Sequence, residues 1–234
     1  MAWDKKISIV LPAYNEESNI EAAIRDIFNY VDSKGWGVEV IVVDDGSKDR
    51  TSEIVDSLCI DYKELKLISH GRNIGYGRAI ADGFNAAKYD LLFFTDSDRQ
   101  FSIESIENMI GLAEESDIIV GYRMNRQDPL IRRLLSWGFN ILARLIFDIK
   151  VRDIDCAFKI FNKSIFDRVK VESKRFFFNT EVLAKARYLG YSIKEVGIPH
   201  FPRRAGNSSV SLKYIPITVH ELLRIRKSIK KIKK

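Results

Sequence analysis

Apolar and polar residues alternate in blocks along the first half of the chain. Residues 7–11 (ISIVL), 38–43, 65–68, 91–95 (LLFFT) and 118–120 are short runs rich in β-branched and aromatic side chains. Each has the length and composition of a buried strand. Between them, apolar residues recur at helical spacing. Ile20, Ala23, Ile24, Ile27, Phe28 and Val31 form one such face, and Ile54, Val55 and Leu58 a second. An Ala-rich segment running to about Ala87 and residues 103–113 complete the series. Ser18, with Glu21 three residues later, has the form of a capping box opening the first helix. Strands and helices therefore alternate through about residue 125. This predicts βαβ units and an α/β fold class, a mostly parallel sheet flanked by helices in a single domain.

The second half is less regular. Residues 129–147 (PLIRRLLSWGFNILARLIF) are apolar nearly all round, with Arg132, Arg133 and Arg144 interspersed. A core helix and an interfacial helix lying on a membrane both fit this pattern, and both readings stay open. A strand-like KIF at 159–161, a helix near 179–189 and a strand at 193–196 follow. From Arg224 onward seven of eleven residues are Lys or Arg and none is acidic. That stretch is expected as a basic C-terminal helix or tail over 213–234, after a main domain over 1–212. Against an anionic leaflet each Lys or Arg is worth about 1 kcal/mol. The same charges suit nucleic acid, but no nucleic-acid motif accompanies them. No apolar run approaches the ~18–20 residues of a membrane span. The segment MAWDKK lacks the apolar core of a signal peptide. The expected location is cytoplasmic and peripheral, on the inner face of the membrane.

Composition narrows this little. A net charge of +6 and a pI near 9.2 suit phosphate-bearing substrates, nucleic acid or an anionic membrane. Cys59 and Cys156 form no ligand pattern and read as buried reduced thiols. His70, His200 and His220 have no metal-binding spacing and read as structural or surface residues.

The chemistry lies in where the polar residues cluster. PAYNE, DDGS, GRNIGYG, DSD and GYR each follow a strand, so one edge of one sheet collects five polar loops. Open α/β sheets bind their ligands at that edge. Asp96 and Asp98, one residue apart past the fourth strand, have the donor chemistry for a hard divalent cation completed by waters and substrate phosphates. Asp44 and Asp45 form a second acidic pair on the same edge, either a plain turn or a base- or ribose-recognition element. HGRNIGYG, with glycines at 71, 75 and 77, is neither a dinucleotide fingerprint nor an ATP-type phosphate loop. Arg123 and Arg203 carry guanidinium forks suited to phosphate oxygens.

The order of PAYNEE, VVDDGSKDRT, GRNIGYGRAIADGF, FTDSD, VGYR, DIDCAFKIF, FFFNTEVLAKARYLGY and IPHFPRRAGNSS resembles family 2 glycosyltransferases over roughly residues 5–210. It is most similar to the dolichol-phosphate mannosyltransferase, or polyprenyl-phosphate glycosyltransferase, branch. The resemblance implies a GT-A (Rossmann-like) fold and a nucleotide-diphosphate sugar bound through Pro12, Tyr14, Glu16, Val43, Asp44, Asp45, Asp96 and Ser97. It implies Mg2+ or Mn2+ on Asp98, with Asp96 and Gln100 assisting, and Arg123 and Arg203 on the phosphates. The implied donor is GDP-mannose or UDP-glucose. The acceptor is a polyprenyl phosphate at a membrane surface, with a membrane-anchoring partner left open and nucleic acid disfavoured. The implied reaction is metal-dependent inverting hexose transfer. Acting on a glycan or protein acceptor is the alternative, and a non-catalytic membrane- or nucleic-acid-binding module the second. Two departures stand out. Arg99 occupies a position usually small or apolar, where it would crowd the metal or grip a phosphate. Ser209 replaces a Lys that often follows the R-x-x-G-x-S segment.

Overall fold

The computed structural model describes residues 6–173, 177–202 and 215–232. Arg203, the Arg203–Ser208 segment and Ser209 lie outside the described residues.

Seven strands form one sheet: β1 (Lys6–Ala13), β2 (Gly37–Asp44), β3 (Leu65–Ser69), β4 (Leu91–Thr95), β5 (Ile118–Met124), β6 (Phe158–Asn162) and β7 (Ile193–Pro199). Their order is β3-β2-β1-β4-β6-β5-β7. Four of the six pairings are parallel, and β6 runs antiparallel to both β4 and β5. The strand run KIF thus sits mid-sheet, between the two strands that carry the acidic loop and Arg123.

Side-chain alternation along each strand divides the core in two. Ile7, Ile9, Leu11, Val40, Val42 and Phe93 face α1 (Ile20–Lys34), α2 (Thr51–Asp61) and α4 (Glu107–Ile110). Val10, Ile41, Val43, Leu92, Phe94 and Phe161 face the opposite layer. That layer contains α3 (Tyr76–Ala86), α5 (Leu130–Phe147), α6 (Ile165–Arg168), α7 (Phe178–Leu189) and α8 (Ile215–Ile229).

Three local expectations change. The first helix begins at Asn19 rather than through a Ser18–Glu21 box: Asn19 is the cap residue, and its amide donates to Glu16 Oε2 at 2.7 Å. Glu21 instead pairs with Arg25 one turn on, at 2.9 Å. The helix expected at 103–113 is three short turns, with 3-10 geometry at Ile103–Ile106 and Gly111–Glu114 flanking α4. Third, the basic C-terminal stretch is part of the core. Leu222, Ile225 and Ile229 of α8 are buried, and Arg224 pairs with Glu172, Glu181 and Glu221.

Helix α5 shows both of its sequence characters. Asn140, Ala143 and Phe147 are buried, while Leu130, Leu134, Trp137 and Leu145 stand 54–80% exposed along one stripe. Among the described residues, no helix is long and apolar enough to cross a membrane.

Candidate active site

The carboxyl edge of β1, β2 and β4 gathers the acidic loops. Pro12 and Val43 are register partners on β1 and β2, and both are buried. Beyond them the 14–17 and 47–51 loops zip together. Asn15 N–H donates to Ser47 Oγ at 2.8 Å, and Lys48 N–H returns to Asn15 Oδ1 at 2.8 Å. Glu16 N–H donates to Thr51 Oγ1 at 2.9 Å. Tyr14 stands 42% exposed over this edge, a platform on which a flat ring can lie.

Asp44 and Asp45 are buried and build loops from within. Asp44 accepts from Ser47 N–H at 3.0 Å and from the hydroxyls of Ser47 and Ser52. Asp45 Oδ1 meets His70 Nδ1 and accepts Ile74 N–H, both at 2.9 Å, while Oδ2 accepts Gly75 N–H at 2.8 Å. The DDGS turn is therefore clasped to the glycine-rich loop. Gly46 shows why: its φ is +76°, and a Cβ there would lie 2.4 Å from the Arg72 carbonyl carbon. No other residue fits that approach. Gly75, at φ +112°, turns the chain into α3. His70, read from sequence as structural, is structural at the site itself, bridging Asp45 and Asp82.

The Asp96–Gln100 loop follows β4. Asp96 Oδ1 accepts the Tyr76 hydroxyl at 2.8 Å. Ser97 is buried, its hydroxyl donating to the Pro12 carbonyl at 3.2 Å. Asp98 is buried, and its Oδ1 accepts Gln100 N–H at 3.1 Å. Gln100 Nε2 donates to the Phe201 carbonyl at 3.3 Å, and Phe201 N–H returns to the Gln100 carbonyl at 2.9 Å. Among the described residues, no three His, Cys, Asp or Glu side chains group as a closed metal cage. The donor set is two carboxylates beside an amide on an open edge. That set fits Mg2+ or Mn2+, which take their other ligands from water and phosphate oxygens. Arg99 pairs with Asp26 on α1 at 2.7 Å and lines one pocket with Asp26, Thr95 and Asp96.

Arg123, at the end of β5, is buried against Asp153 in a fork, Nε to Oδ2 at 2.6 Å and Nη2 to Oδ1 at 2.8 Å. Burial pushes the Asp153 carboxyl up, but the Arg123 fork outweighs it and holds the group below the usual carboxylate range. Asp128, also buried, gathers Arg126 at 2.7 Å and Arg132 at 2.8 Å. Asp155, two residues past Asp153, is pushed up to about 6, by burial first and by the Asp153 charge second. Burial, then Asp96, raises the Tyr76 phenol well above its ordinary value.

Next to Arg123 opens a cleft of about 450 Å3, walled by Arg126, Arg133, Arg144 and Arg152, with Leu130, Leu134 and Trp137 at its lip. The 200–202 segment bridges the Asp96–Gln100 loop and the turn that carries Arg126: Phe201 pairs with Gln100, and His200 Nδ1 accepts Gln127 N–H at 3.4 Å. The structure thus brings Pro12, Tyr14, Glu16, Val43, Asp44, Asp45, Asp96, Ser97, Asp98 and Gln100 to one edge, with Arg123 on β5, across β6 from β4. Sequence reasoning did not single out Tyr76, Asp128, Asp153 or Asp155. Tyr76 and the two later aspartates lay in quoted motifs, and their pairing with Asp96 and Arg123 needed three dimensions.

Comparison with known proteins agrees with this geometry. The family model "Glycosyl transferase family 2" matches residues 8–170. Glycosyltransferase AglD of Haloferax volcanii is 30% identical over 217 residues, 88% of this chain and 34% of that protein. Undecaprenyl-phosphate 4-deoxy-4-formamido-L-arabinose transferase of Yersinia pestis is 30% identical over 221 residues, 94% of this chain and 67% of that protein. The chain therefore spans about a third of the first relative's length and two thirds of the second's. Glucosyl-3-phosphoglycerate synthase of Mycobacterium tuberculosis, solved with Mn2+, UDP and its product, shares the fold with a TM-score of 0.74. It is 20% identical and aligns over 98% of this chain and 81% of its own. By fold, edge loops and sequence, the chain belongs to glycosyl transferase family 2.

Proposed function

We propose that the chain transfers a hexose from a nucleotide-diphosphate sugar to a polyprenyl phosphate at the cytoplasmic face of a membrane, with inversion at the anomeric carbon. One observation carries this reading: an arginine-walled cleft with an apolar, exposed lip, lined also by the Arg123–Asp153 fork. A phosphate monoester on a long apolar tail matches both halves of that surface, guanidinium to phosphate and lip to tail. The Yersinia relative is named for an undecaprenyl-phosphate acceptor, which points the same way.

The chemistry follows from the residues. A phosphate monoester is anionic near neutral pH, so attack needs orientation more than a general base. Arg123, with its fork anchored on Asp153, presents positive charge at the cleft. Arg203 adds a second guanidinium on sequence grounds. Asp96 and Asp98, with Gln100, would hold Mg2+ or Mn2+. When bound, such a cation neutralises charge on the departing nucleoside diphosphate. Tyr14 stacks on the base, and the loops shaped by Asp44 and Asp45 cradle the ribose. GDP-mannose is the first donor to offer, UDP-glucose the second.

Acceptor competition tests the proposal. A labelled donor is offered together with detergent-dispersed polyprenyl phosphate and a water-soluble phosphate monoester. Label in the lipid fraction is the expected result. Label only in the soluble monoester, or in a glycan or protein, overturns the lipid reading.

A further inference from the structure

Arg99 directly follows Asp98 in the edge loop, and the structure ties its side chain to α1. Its φ is +58°, in the left-handed region that a non-glycine residue holds only under restraint. The restraint is visible: Nε and Nη2 both donate to Asp26 Oδ2, at 3.0 and 2.7 Å. Asp26 sits on the outer face of α1, half exposed, and Arg99 is three-quarters enclosed. The reversal at Arg99 brings Gln100 N–H back onto Asp98 Oδ1 at 3.1 Å. The carboxylate orientation at Asp98 and the backbone conformation at Arg99 are thus parts of one turn.

The turn is tied at four points. Tyr76 holds Asp96, the Pro12 carbonyl holds Ser97, Phe201 holds Gln100, and Asp26 holds Arg99. The fourth tie is made by α1, whose Asp26 lines one pocket with Asp96 and Arg99.

We infer that Asp26 is a positioning residue for the metal loop, acting through Arg99 to preset the Asp98 carboxylate for a divalent cation. The inference rests on the reading of Asp96 and Asp98 as the metal-holding pair. A partly exposed ion pair contributes modestly to folding. Its expected effect is therefore on cation affinity and not on survival of the fold.

The experiment uses the full chain and Mn2+ binding in the presence of UDP or GDP, followed by the paramagnetic signal of free Mn2+, with metal-dependent transfer measured in parallel. Asp26→Ala should weaken Mn2+ binding about fivefold, the scale of one such pair. It should leave turnover at saturating metal within about threefold and the thermal midpoint nearly unmoved. Arg99→Gly, which accepts the backbone angle but drops the tie, should weaken binding equally. The swapped pair, Asp26→Arg with Arg99→Asp, should restore binding, because aspartate tolerates the left-handed region. Wild-type Mn2+ affinity in Asp26→Ala, or no rescue by the swap, overturns the inference. A wild-type chain that takes up no Mn2+ with either nucleotide overturns the metal assignment itself, and this inference with it.

Discussion

Tyr76 donates its phenol hydrogen to Asp96 Oδ1 at 2.8 Å, linking the first turn of α3 to the end of β4. Through Gly75 and Asp45 the same turn is tied to the end of β2. With PAYNE tied to Ser47 and Ser97, four of the five polar segments on the sheet edge form one hydrogen-bonded unit. Tyr76→Phe removes a single hydroxyl from it. The expected loss is about 2 kcal/mol of stability, the worth of one hydrogen bond to a charged acceptor. The metal concentration for half-maximal transfer should rise about tenfold or more. Thermal melting and a metal titration of activity check both.

Arg123 and Asp153 form a buried fork, so removing one partner strands the other. Asp153→Ala should destabilise the fold by about 3 kcal/mol or more and reduce transfer together with it. The native Asp153 carboxyl titrates below its ordinary value. Its stabilising contribution is therefore present above the unfolded value near 3.8 and is lost as pH falls through the lower native one. Acid unfolding midpoints of wild type and Asp153→Asn measure this: the variant should lack that step.

Asp155 has the opposite sign. Its carboxyl is pushed up to about 6 from 3.8, by burial and then by the Asp153 charge. The folded state therefore favours the neutral acid. The contribution is complete below the unfolded value and disappears as pH rises through about 6. At pH 8 the fold carries an unfavourably placed charge. Asp155→Asn should be more stable than wild type by about 1–3 kcal/mol at pH 8, with the difference closing near pH 4. Denaturant midpoints across that range decide it.

Helix α8 buries one face, and basic residues on and just past it are exposed. Ile225→Ala empties a fully buried position and should cost about 2–4 kcal/mol. Arg226, Lys227 and Lys230 are exposed. Changing all three to Gln should leave the melting midpoint nearly unmoved and weaken binding to anionic vesicles, by roughly fivefold per charge. Vesicle cosedimentation at low and high salt separates the two effects.

Much of this fold was legible in the chain. LLFFT reads as a buried strand because four apolar residues in a row have no other economical place, and DSD after it reads as an edge loop for the same reason. The direction of β6 was not legible: KIF looks the same parallel or antiparallel, and only its partners β4 and β5 decide. The helix expected at 103–113 breaks into turns because Gly111 and the flanking polar residues support no continuous apolar face. The Arg99–Asp26 pair was not legible for a different reason: its partners lie 73 residues apart in the chain. The packing of the C-terminal helix was less legible because seven charges dominate the count from Arg224 on, while Leu222, Ile225 and Ile229 recur at helical spacing within and just before that stretch.

The central claim is metal-dependent sugar transfer from the Asp96–Asp98 edge to a lipid phosphate. The direct measurement offers labelled GDP-mannose and UDP-glucose separately to wild type and Asp98→Ala, with detergent-dispersed polyprenyl phosphate and with Mg2+, Mn2+ or chelator. The account predicts a labelled glycolipid from one donor, abolished by chelator and reduced at least ~100-fold in Asp98→Ala. Undiminished transfer by Asp98→Ala, or transfer that chelator leaves intact, would contradict it.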